Sequence, residues 1–251
     1  MTHFGAIIIG DEIISGKRQD KHFAQVASVL SKRGLELSWC EYLGDDPELI
    51  TATLRRTLAT EDIVFCFGGI GATPDDHTRR CAAQAAGVEL YRHPDAVAEI
   101  VAQFGEAAYP KRVLMADLPQ GSRIIPNPYN RVSGFSIKQH YFLPGFPEMA
   151  WPMMEWVLDT HYSHLQNLVQ CAEQAIIVRN AMESLLLDVM NDCVARFPSL
   201  KLFSLPHLGP GERWIEVGVR GDRQQVPQAM QLLKKGVTAL GYKWKDEQSN
   251  S

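Results

Sequence analysis

Cysteine is scarce in this sequence, and none of it stands in a short paired motif. The five cysteines are scattered without any CxxC spacing, at Cys40, Cys66, Cys81, Cys171 and Cys193. This pattern argues against a zinc knuckle and against a disulfide framework. It favours a reducing cytoplasm, in which the thiols serve as small buried hydrophobic groups.

Long apolar runs and a large excess of one charge are also missing. No run approaches the roughly 18–20 residues that span a bilayer, and the N-terminus lacks the basic start and apolar stretch of a signal peptide. The formal net charge is −4, with both signs mixed along the chain. We therefore expect a cytoplasmic protein with neither a nucleic-acid nor a membrane partner.

The sequence does contain enough apolar material for a packed core, since 45% of its 251 residues are hydrophobic and 22% are charged. Short apolar runs alternate with helical periods as far as Gly87. The predicted elements are strands at 4–9, 35–43 and 63–67 and helices at 20–33, 46–58 and 75–87. This alternation predicts an α/β fold, in which a mostly parallel sheet forms the middle of three layers.

The rest of the chain follows two other patterns. Residues 109–147 are rich in proline and glycine, which predicts loops and short strands. After a polar spacer at 161–167, the order strand, helix, strand, strand, helix predicts a small α+β ferredoxin-like subdomain. The predicted division is an α/β domain at 1–160, the subdomain at 168–245 and a polar tail at 246–251.

The loop after the third predicted strand is the clearest candidate site, because ligands of open parallel sheets bind beyond the carboxyl ends of the strands. It holds three glycines in four residues, Gly68, Gly69 and Gly71, just before the predicted helix. Such a loop lets backbone amides approach a phosphate at the positive end of a helix. The alternative is a tight turn capped by Asp75 or Asp76, which leaves the other aspartate without a role.

Acids of the first and third loops are candidates for binding a cation. Asp11 and Glu12 follow the first strand, and beside Asp75 and Asp76 they could hold a divalent ion through oxygen ligands. Solvated turn acids are an equally good interpretation of Asp11 and Glu12.

Further polar residues fit ordinary structural roles. Lys17 and Arg18 could neutralise a phosphate, but two basic residues in a loop are more commonly a solvated surface. The acid pair 45–46 fits a helix cap before a proline. Asn127 stands between two prolines and is either a turn residue or a ligand contact.

Four sequence blocks, taken in their order along the chain, resemble the motifs of a known protein family. They are Gly10-Asp11-Glu12-Ile13-Ile14 with Gly16 and Asp20, Gly44-Asp45-Asp46, Gly68-Gly69-Ile70-Gly71-Ala72-Thr73-Pro74-Asp75-Asp76-His77-Thr78, and Leu143-Pro144-Gly145-Phe146-Pro147-Glu148-Met149. Together they resemble the molybdopterin-binding (MoCF biosynthesis) family, in particular the N-terminal module of CinA proteins and the corresponding domain of FAD synthases. The sequence departs from the family pattern at Ala72, where proline is usual, at His22, where asparagine is common, and at Phe67, where threonine is frequent.

The resemblance implies a molybdopterin-binding fold with a pocket for a pterin or nucleotide that carries phosphate. It implies catalytic roles for Asp76, Asp75 and Lys17, and a divalent ion such as Mg²⁺, Mn²⁺ or Co²⁺ on Glu12, Asp11 and Asp76. With Asn127 added, the implied ligand-binding residues are Gly68, Gly69, Gly71, Thr73, Gly10, Gly16, Asn127 and Gly145.

The resemblance also implies metal-dependent cleavage of a pyrophosphate such as ADP-ribose or FAD. The alternatives are a non-catalytic protein that binds molybdopterin or a nucleotide, and a structural module whose loops have decayed. CinA proteins commonly carry a C-terminal amidohydrolase that acts on nicotinamide mononucleotide, and because this sequence ends at Ser251 we expect no deamidation. Members of the family commonly self-associate, so we expect a homo-oligomer.

Overall fold

The computed structural model describes residues 3–166, 171–209 and 212–247. Two compact units divide the chain, Met1–Gln166 and Asn167–Ser251. Residues 167 and 168, where the sequence predicts the spacer to end and the subdomain to begin, lie outside the described residues, as do residues 248–251 of the predicted tail. Within the described ranges, no helix combines the length and the apolar character needed to cross a bilayer.

A mostly parallel sheet forms the centre of the first unit. The strands of this unit are β1 (Phe4–Ile9), β2 (Leu37–Leu43), β3 (Ile63–Phe67), β4 (Leu90–Arg92), β5 (Asp117–Pro119), β6 (Arg123–Ile125), β7 (Gly134–Ile137) and β8 (His140–Leu143). The sheet has the order β2-β1-β3-β8-β7-β6, in which the first four strands run parallel. Strands β4 and β5 pair separately, in antiparallel orientation. The predicted mostly parallel sheet is confirmed.

Helices cover both faces of this sheet. They are α1 (Asp11–Ile14), α2 (His22–Lys32), α3 (Pro47–Thr57), α4 (Thr78–Ala86), α5 (Pro94–Phe104) and α6 (Pro147–His161). Because side chains alternate along a strand, Ile7 and Ile9 of β1 belong to the core that α3, α4 and α5 complete. Ala6 and Ile8 belong to the other core, which α2 and α6 complete. The three-layer arrangement is therefore confirmed.

The second unit has the ferredoxin-like order strand, helix, strand, strand, helix, strand. Its elements are β9 (Cys171–Arg179), α7 (Leu187–Arg196), β10 (Lys201–Gly209), β11 (Glu212–Asp222), α8 (Val226–Ala239) and β12 (Trp244–Asp246). They form an antiparallel sheet in the order β10-β11-β9-β12.

The last strand reaches the first residue of the predicted polar tail. Asp246 belongs to β12 and pairs with Ile176 of β9. Trp244 connects the strand to helix α8. Its indole nitrogen donates to the Thr238 hydroxyl at 3.0 Å, and the Lys234 ammonium lies 4.8 Å from its ring centroid. The three residues of β12 are mainly polar, and a segment this short does not show the alternation of polar and apolar residues that predicts a strand.

Candidate functional site

The carboxyl ends of β1, β3 and β8 open onto one cavity of about 490 Å³. The three strands are neighbours in the sheet, so the loops that follow them meet at the same edge. A cavity of this size suits a small organic ligand. The sequence-predicted residues that line it are Gly10, Glu12, Gly68, Gly69, Gly71, Thr73, Asp75, Asp76, Asn127 and Gly145.

The glycine loop after β3 presents a run of free backbone amides. Thr78 holds the loop from behind, since its hydroxyl donates to the Gly68 carbonyl and its amide donates to the Gly69 carbonyl, both at 3.0 Å. Among the described residues, no acceptor is paired with the amides of residues 69–71. Successive unpaired amides that line a cavity form a concave anion site, so this loop is suited to bind phosphate oxygens.

Asp76 closes the loop instead of capping the next helix. Its Oδ2 accepts hydrogen bonds from the Thr73 amide at 2.8 Å and from the Thr73 hydroxyl at 2.5 Å. Helix α4 therefore begins three residues later than the predicted start at Asp75, with His77 at the N-cap and no side-chain cap. The alternative interpretation of the sequence, a helix cap by Asp75 or Asp76, is wrong, because the two donors of Thr73 engage the Asp76 carboxylate.

Three more carboxylates face one another at the loops of the cavity. Asp45 lines it beside Glu12 and Asp75. Burial, followed by the charges of Asp11, Glu12 and Asp75, raises the pKa of Asp45 above its usual value. The nearby Thr73 side chain lowers the pKa of Asp75 below its usual value, so that this carboxylate stays ionised. The cavity therefore combines a site for anions with an excess of negative charge.

Asp11 does not line the cavity, because its side chain joins two loops. Its Oδ1 accepts from the Asp45 amide at 3.0 Å, and the Asp11 amide donates to Asp45 Oδ2 at 2.9 Å. In the part of the chain that the structure describes, no three His, Cys, Asp or Glu side chains form a ready-made metal site. The predicted set of Glu12, Asp11 and Asp76 is thus not assembled as a cage.

Gly16 and Lys17 also lie away from the cavity lining. The chain reverses after α1, with the Gly16 amide bonded to the Ile13 carbonyl at 3.0 Å and the Arg18 amide bonded to the Glu12 carbonyl at 2.8 Å. This turn leaves Lys17 exposed and places Arg18 among the lining residues. Of the two basic residues that the sequence offers for a phosphate, Arg18 therefore lies at the site and Lys17 does not.

Asn127 is both a turn residue and part of the cavity wall. Its Oδ1 accepts from the Tyr129 amide at 3.0 Å, and its Nδ2 donates to the Val132 carbonyl at 2.9 Å and to Asn130 Oδ1 at 2.8 Å. The side chain is thus fully engaged in shaping the loop. The interpretation as a turn residue is confirmed, and a contact with a ligand stays a prediction.

One wall of the cavity is apolar, which the sequence motifs do not predict. The side chains that form it are Phe104, Met115, Val132, Phe146 and Met149. They come from α5, the following irregular segments and the start of α6. Phe146 and Met149 belong to the last of the four sequence blocks, whereas the other three converge on the cavity through the tertiary fold.

Two residues that depart from the family pattern contact each other beneath the site. The His22 ring stacks on the Phe67 ring with centroids 4.4 Å apart, and its Nε2 lies 3.1 Å from the Gly145 carbonyl oxygen. Burial lowers the pKa of His22. The two departures therefore form one packed contact that supports the loop after β8, which argues against decay of the site.

Arg79 fixes the glycine loop to the irregular segment near Asp117. Its guanidinium donates to the carbonyls of Gly71 and Leu114 at 2.6 Å and of Asp117 at 3.0 Å. Burial lowers the pKa of Arg79. A lysine has a single nitrogen in place of this planar fork and cannot bridge the same three carbonyls.

We expect Arg79→Lys to lower the free energy of unfolding by about 2 kcal/mol. Urea unfolding measures this effect. Arg80→Lys is the matched control, because Arg80 is an exposed neighbour that does not line the cavity. Equal behaviour of the two variants would contradict the anchoring role.

The family to which this chain is similar matches nearly the same residues as the first unit. A family model described as "Probable molybdopterin binding domain" matches residues 5–164. The chain belongs to this family. A "CinA-like protein" from Citrifermentans bemidjiense is 35% identical over 159 residues, which cover 60% of this chain and 38% of the relative. A relative from Caldivirga maquilingensis is 29% identical over 194 residues, which cover 74% of each chain.

A solved structure supports the same placement. The protein CinA with unknown function from Thermoplasma acidophilum is 27% identical, with a TM-score of 0.58, over 63% of this chain and 97% of that chain. The predicted resemblance to the CinA branch of the molybdopterin-binding family is thus confirmed. The match to the CinA-like proteins of Citrifermentans bemidjiense and Syntrophotalea carbinolica spans 38% of the length of each.

Proposed function

We propose that the cavity binds a nucleotide or pterin that carries phosphate, and that it hydrolyses a pyrophosphate bond of that ligand with the help of a divalent cation. The observation that carries this proposal is the run of unpaired amides at residues 69–71, which lines the same cavity as Glu12 and Asp75. Amides of this kind bind phosphate oxygens, and the carboxylates attract the cation that pyrophosphates bring with them.

The residues of the cavity can divide the work of hydrolysis. The amides of Gly69 and Gly71 bind phosphoryl oxygens and stabilise the charge that develops at phosphorus. A water oxygen bonds to one phosphorus, the bridging P–O bond breaks, and two phosphate monoesters and a proton leave. Asp45 is suited to accept that proton, because burial and neighbouring charges raise its pKa.

The carboxylates of the cavity can bind a divalent cation together with the phosphate of the ligand. Mg²⁺ is commonly held by one or two carboxylates together with substrate phosphates and water, so it needs no preformed cage. Glu12, Asp75 and Asp76 would hold it, and when bound it would polarise the phosphoryl group and activate water. The excess of negative charge around Asp45 is consistent with that cation.

The test is turnover of ADP-ribose and FAD in the presence of Mg²⁺, Mn²⁺ or Co²⁺. For Asp76→Ala we expect kcat/KM to fall at least about a hundredfold, since the glycine loop loses its closure and the cation loses a ligand. Asp95→Ala is the control, because Asp95 is an exposed acid that does not line the cavity.

Two outcomes would contradict this proposal at different points. Activity that survives Asp76→Ala would overturn the assignment of the site. Absence of turnover with both substrates and all three ions would overturn the enzymatic function, even if binding persisted.

The apolar wall supports a second candidate, a protein that binds a pterin or nucleotide without cleaving it. Phe104, Met115 and Phe146 offer a surface for a planar ring, which a pyrophosphatase of broad specificity does not need. Saturable binding of FAD without turnover would favour this candidate over the first.

A further inference from the structure

A second cavity lies at the opposite end of the parallel strands of the first unit. Its volume is about 610 Å³, and it is lined by residues at the start of β3, in the β7–β8 turn and at the end of α6. The first cavity lies beyond the carboxyl ends of β3 and β8, so the two lie at opposite edges of the sheet and share no lining residue. The proposed function gives this second cavity no role.

Basic side chains line the second cavity, and acidic ones are absent from its described lining. The basic side chains are Arg123, Lys138, His161 and His164. Ile63 also lines it, but the preceding Asp62 does not. Asp62 is engaged elsewhere, since its Oδ2 accepts from the Trp39 indole at 2.8 Å and its Oδ1 lies 3.8 Å from His3 Nδ1. The cavity therefore carries uncompensated positive charge.

The cations of this cavity differ from the paired cations elsewhere in the first unit. In the described chain, carboxylate partners neutralise Arg33, Arg56, Arg92 and Arg131. Arg123 has no such ion pair with a described residue. The Lys138 ammonium donates to the Leu58 carbonyl at 3.0 Å, which orients the charge without neutralising it. An anion from solution would supply the negatively charged hydrogen-bond acceptor that both side chains lack among the described residues.

Hydroxyl groups add uncharged donors beside the cations. The Tyr141 and Tyr162 hydroxyl oxygens are 2.7 Å apart, and either one can be the donor. Whichever accepts retains a proton that it can donate to a ligand. Ser136 is the register partner of Tyr141 and lines the same cavity. Cationic and hydroxyl donors around one space are suited to phosphate oxygens, which accept several hydrogen bonds at once.

We propose that this cavity binds a phosphorylated small molecule, at a site separate from the glycine loop. The volume admits a ligand as large as a nucleotide. Arg123 and Lys138 bind the phosphate oxygens, and the tyrosine pair and Ser136 donate further hydrogen bonds. This inference does not depend on the proposed pyrophosphatase activity, because it involves none of the residues of the first cavity.

To test this proposal, the full chain is titrated with inorganic pyrophosphate in the presence of EDTA. The readout is the NMR chemical shifts of the backbone amides. We expect saturable shifts at residues 121–125, 136–141 and 161–165. In the double variant Arg123→Gln/Lys138→Gln these shifts should require at least about tenfold more pyrophosphate. Shifts at residues 68–73 report the first cavity independently and should be the same in the variant.

Two further variants keep the result interpretable. Ser136→Asp adds a carboxylate to the cavity but leaves the Lys138–Leu58 contact in place, and it should weaken binding to a similar extent. Arg55→Gln/Lys111→Gln removes the same charge from exposed positions outside the cavity and should leave binding unchanged. The proposal is overturned if the three segments do not shift at about 10 mM pyrophosphate, or if they shift equally in wild type and both cavity variants.

Discussion

Gly68→Ala is expected to abolish pyrophosphate binding at the glycine loop and to lower the free energy of unfolding by about 4 kcal/mol. The backbone at Gly68 has φ of +104°, and a Cβ there would lie 2.2 Å from the Ile9 carbonyl oxygen. Ile9 ends β1, and the Gly68 amide donates to Leu143 at the end of β8 at 3.0 Å. A methyl group would therefore separate the strand ends that surround the cavity.

Gly87→Ala is the matched control for this prediction. Gly87 also has a positive φ, +71°, but a Cβ there would meet no atom within 4 Å. We expect a loss of only about 1 kcal/mol, from backbone strain alone, and unchanged binding. Urea unfolding and calorimetric titration of both variants separate strain from collision, and equal losses would contradict the steric argument.

Strands β1 and β3 at the centre of the sheet were predictable because they are short runs without polar side chains. Each residue of β1 and of β3 is buried, and such runs between helical periods are typical of strands covered on both faces. The acid pair 45–46 shows where this local reasoning fails. Asp46 does cap α3, through hydrogen bonds from the amides of Glu48 and Leu49. Asp45, assigned to the same cap from the sequence, has a separate contact with Asp11 across two loops.

The parts of the site that the sequence did not predict depend on contacts between distant segments. The sequence offers both Lys17 and Arg18, and a single turn decides that Arg18 lines the cavity. Phe104 and Met115 reach the cavity from α5 and from the segment beyond it, far along the chain from the glycine loop. Periodicity and short motifs report local structure, so they do not identify such contacts.

Buried His140 makes the stability of the fold depend on pH. Its Nε2 lies 2.8 Å from the Thr57 hydroxyl oxygen, whose own proton is directed at the carbonyls of Thr53 and Leu54. The imidazole therefore donates through Nε2, and its buried Nδ1 has no partner among the described residues. A proton on Nδ1 would be a buried charge without an acceptor. Burial, helped by the charge of Lys138, accordingly lowers the pKa of His140 to about 4.

The sign of the effect follows from the usual histidine pKa of 6.5. Between pH 6.5 and about 4 the unfolded chain binds a proton at residue 140 that the folded chain does not. The stability that neutral His140 contributes is complete above pH 6.5 and is lost as the pH falls toward 4. The loss amounts to about 3 kcal/mol. His22, whose pKa burial also lowers, acts in the same direction.

Urea unfolding at a series of pH values measures this loss, and His140→Gln isolates its source. Glutamine can still donate to the Thr57 hydroxyl but cannot titrate, so the variant should lose clearly less stability than wild type between pH 6.5 and 5. Within this window the ionised carboxylates with lowered pKa, such as Asp159 and Asp75, contribute little, because they protonate only at more acid pH. If the free energy of unfolding changes equally with pH in both proteins, His140 is protonated in the fold without cost. The tautomer inferred from the contact with Thr57 would then be wrong.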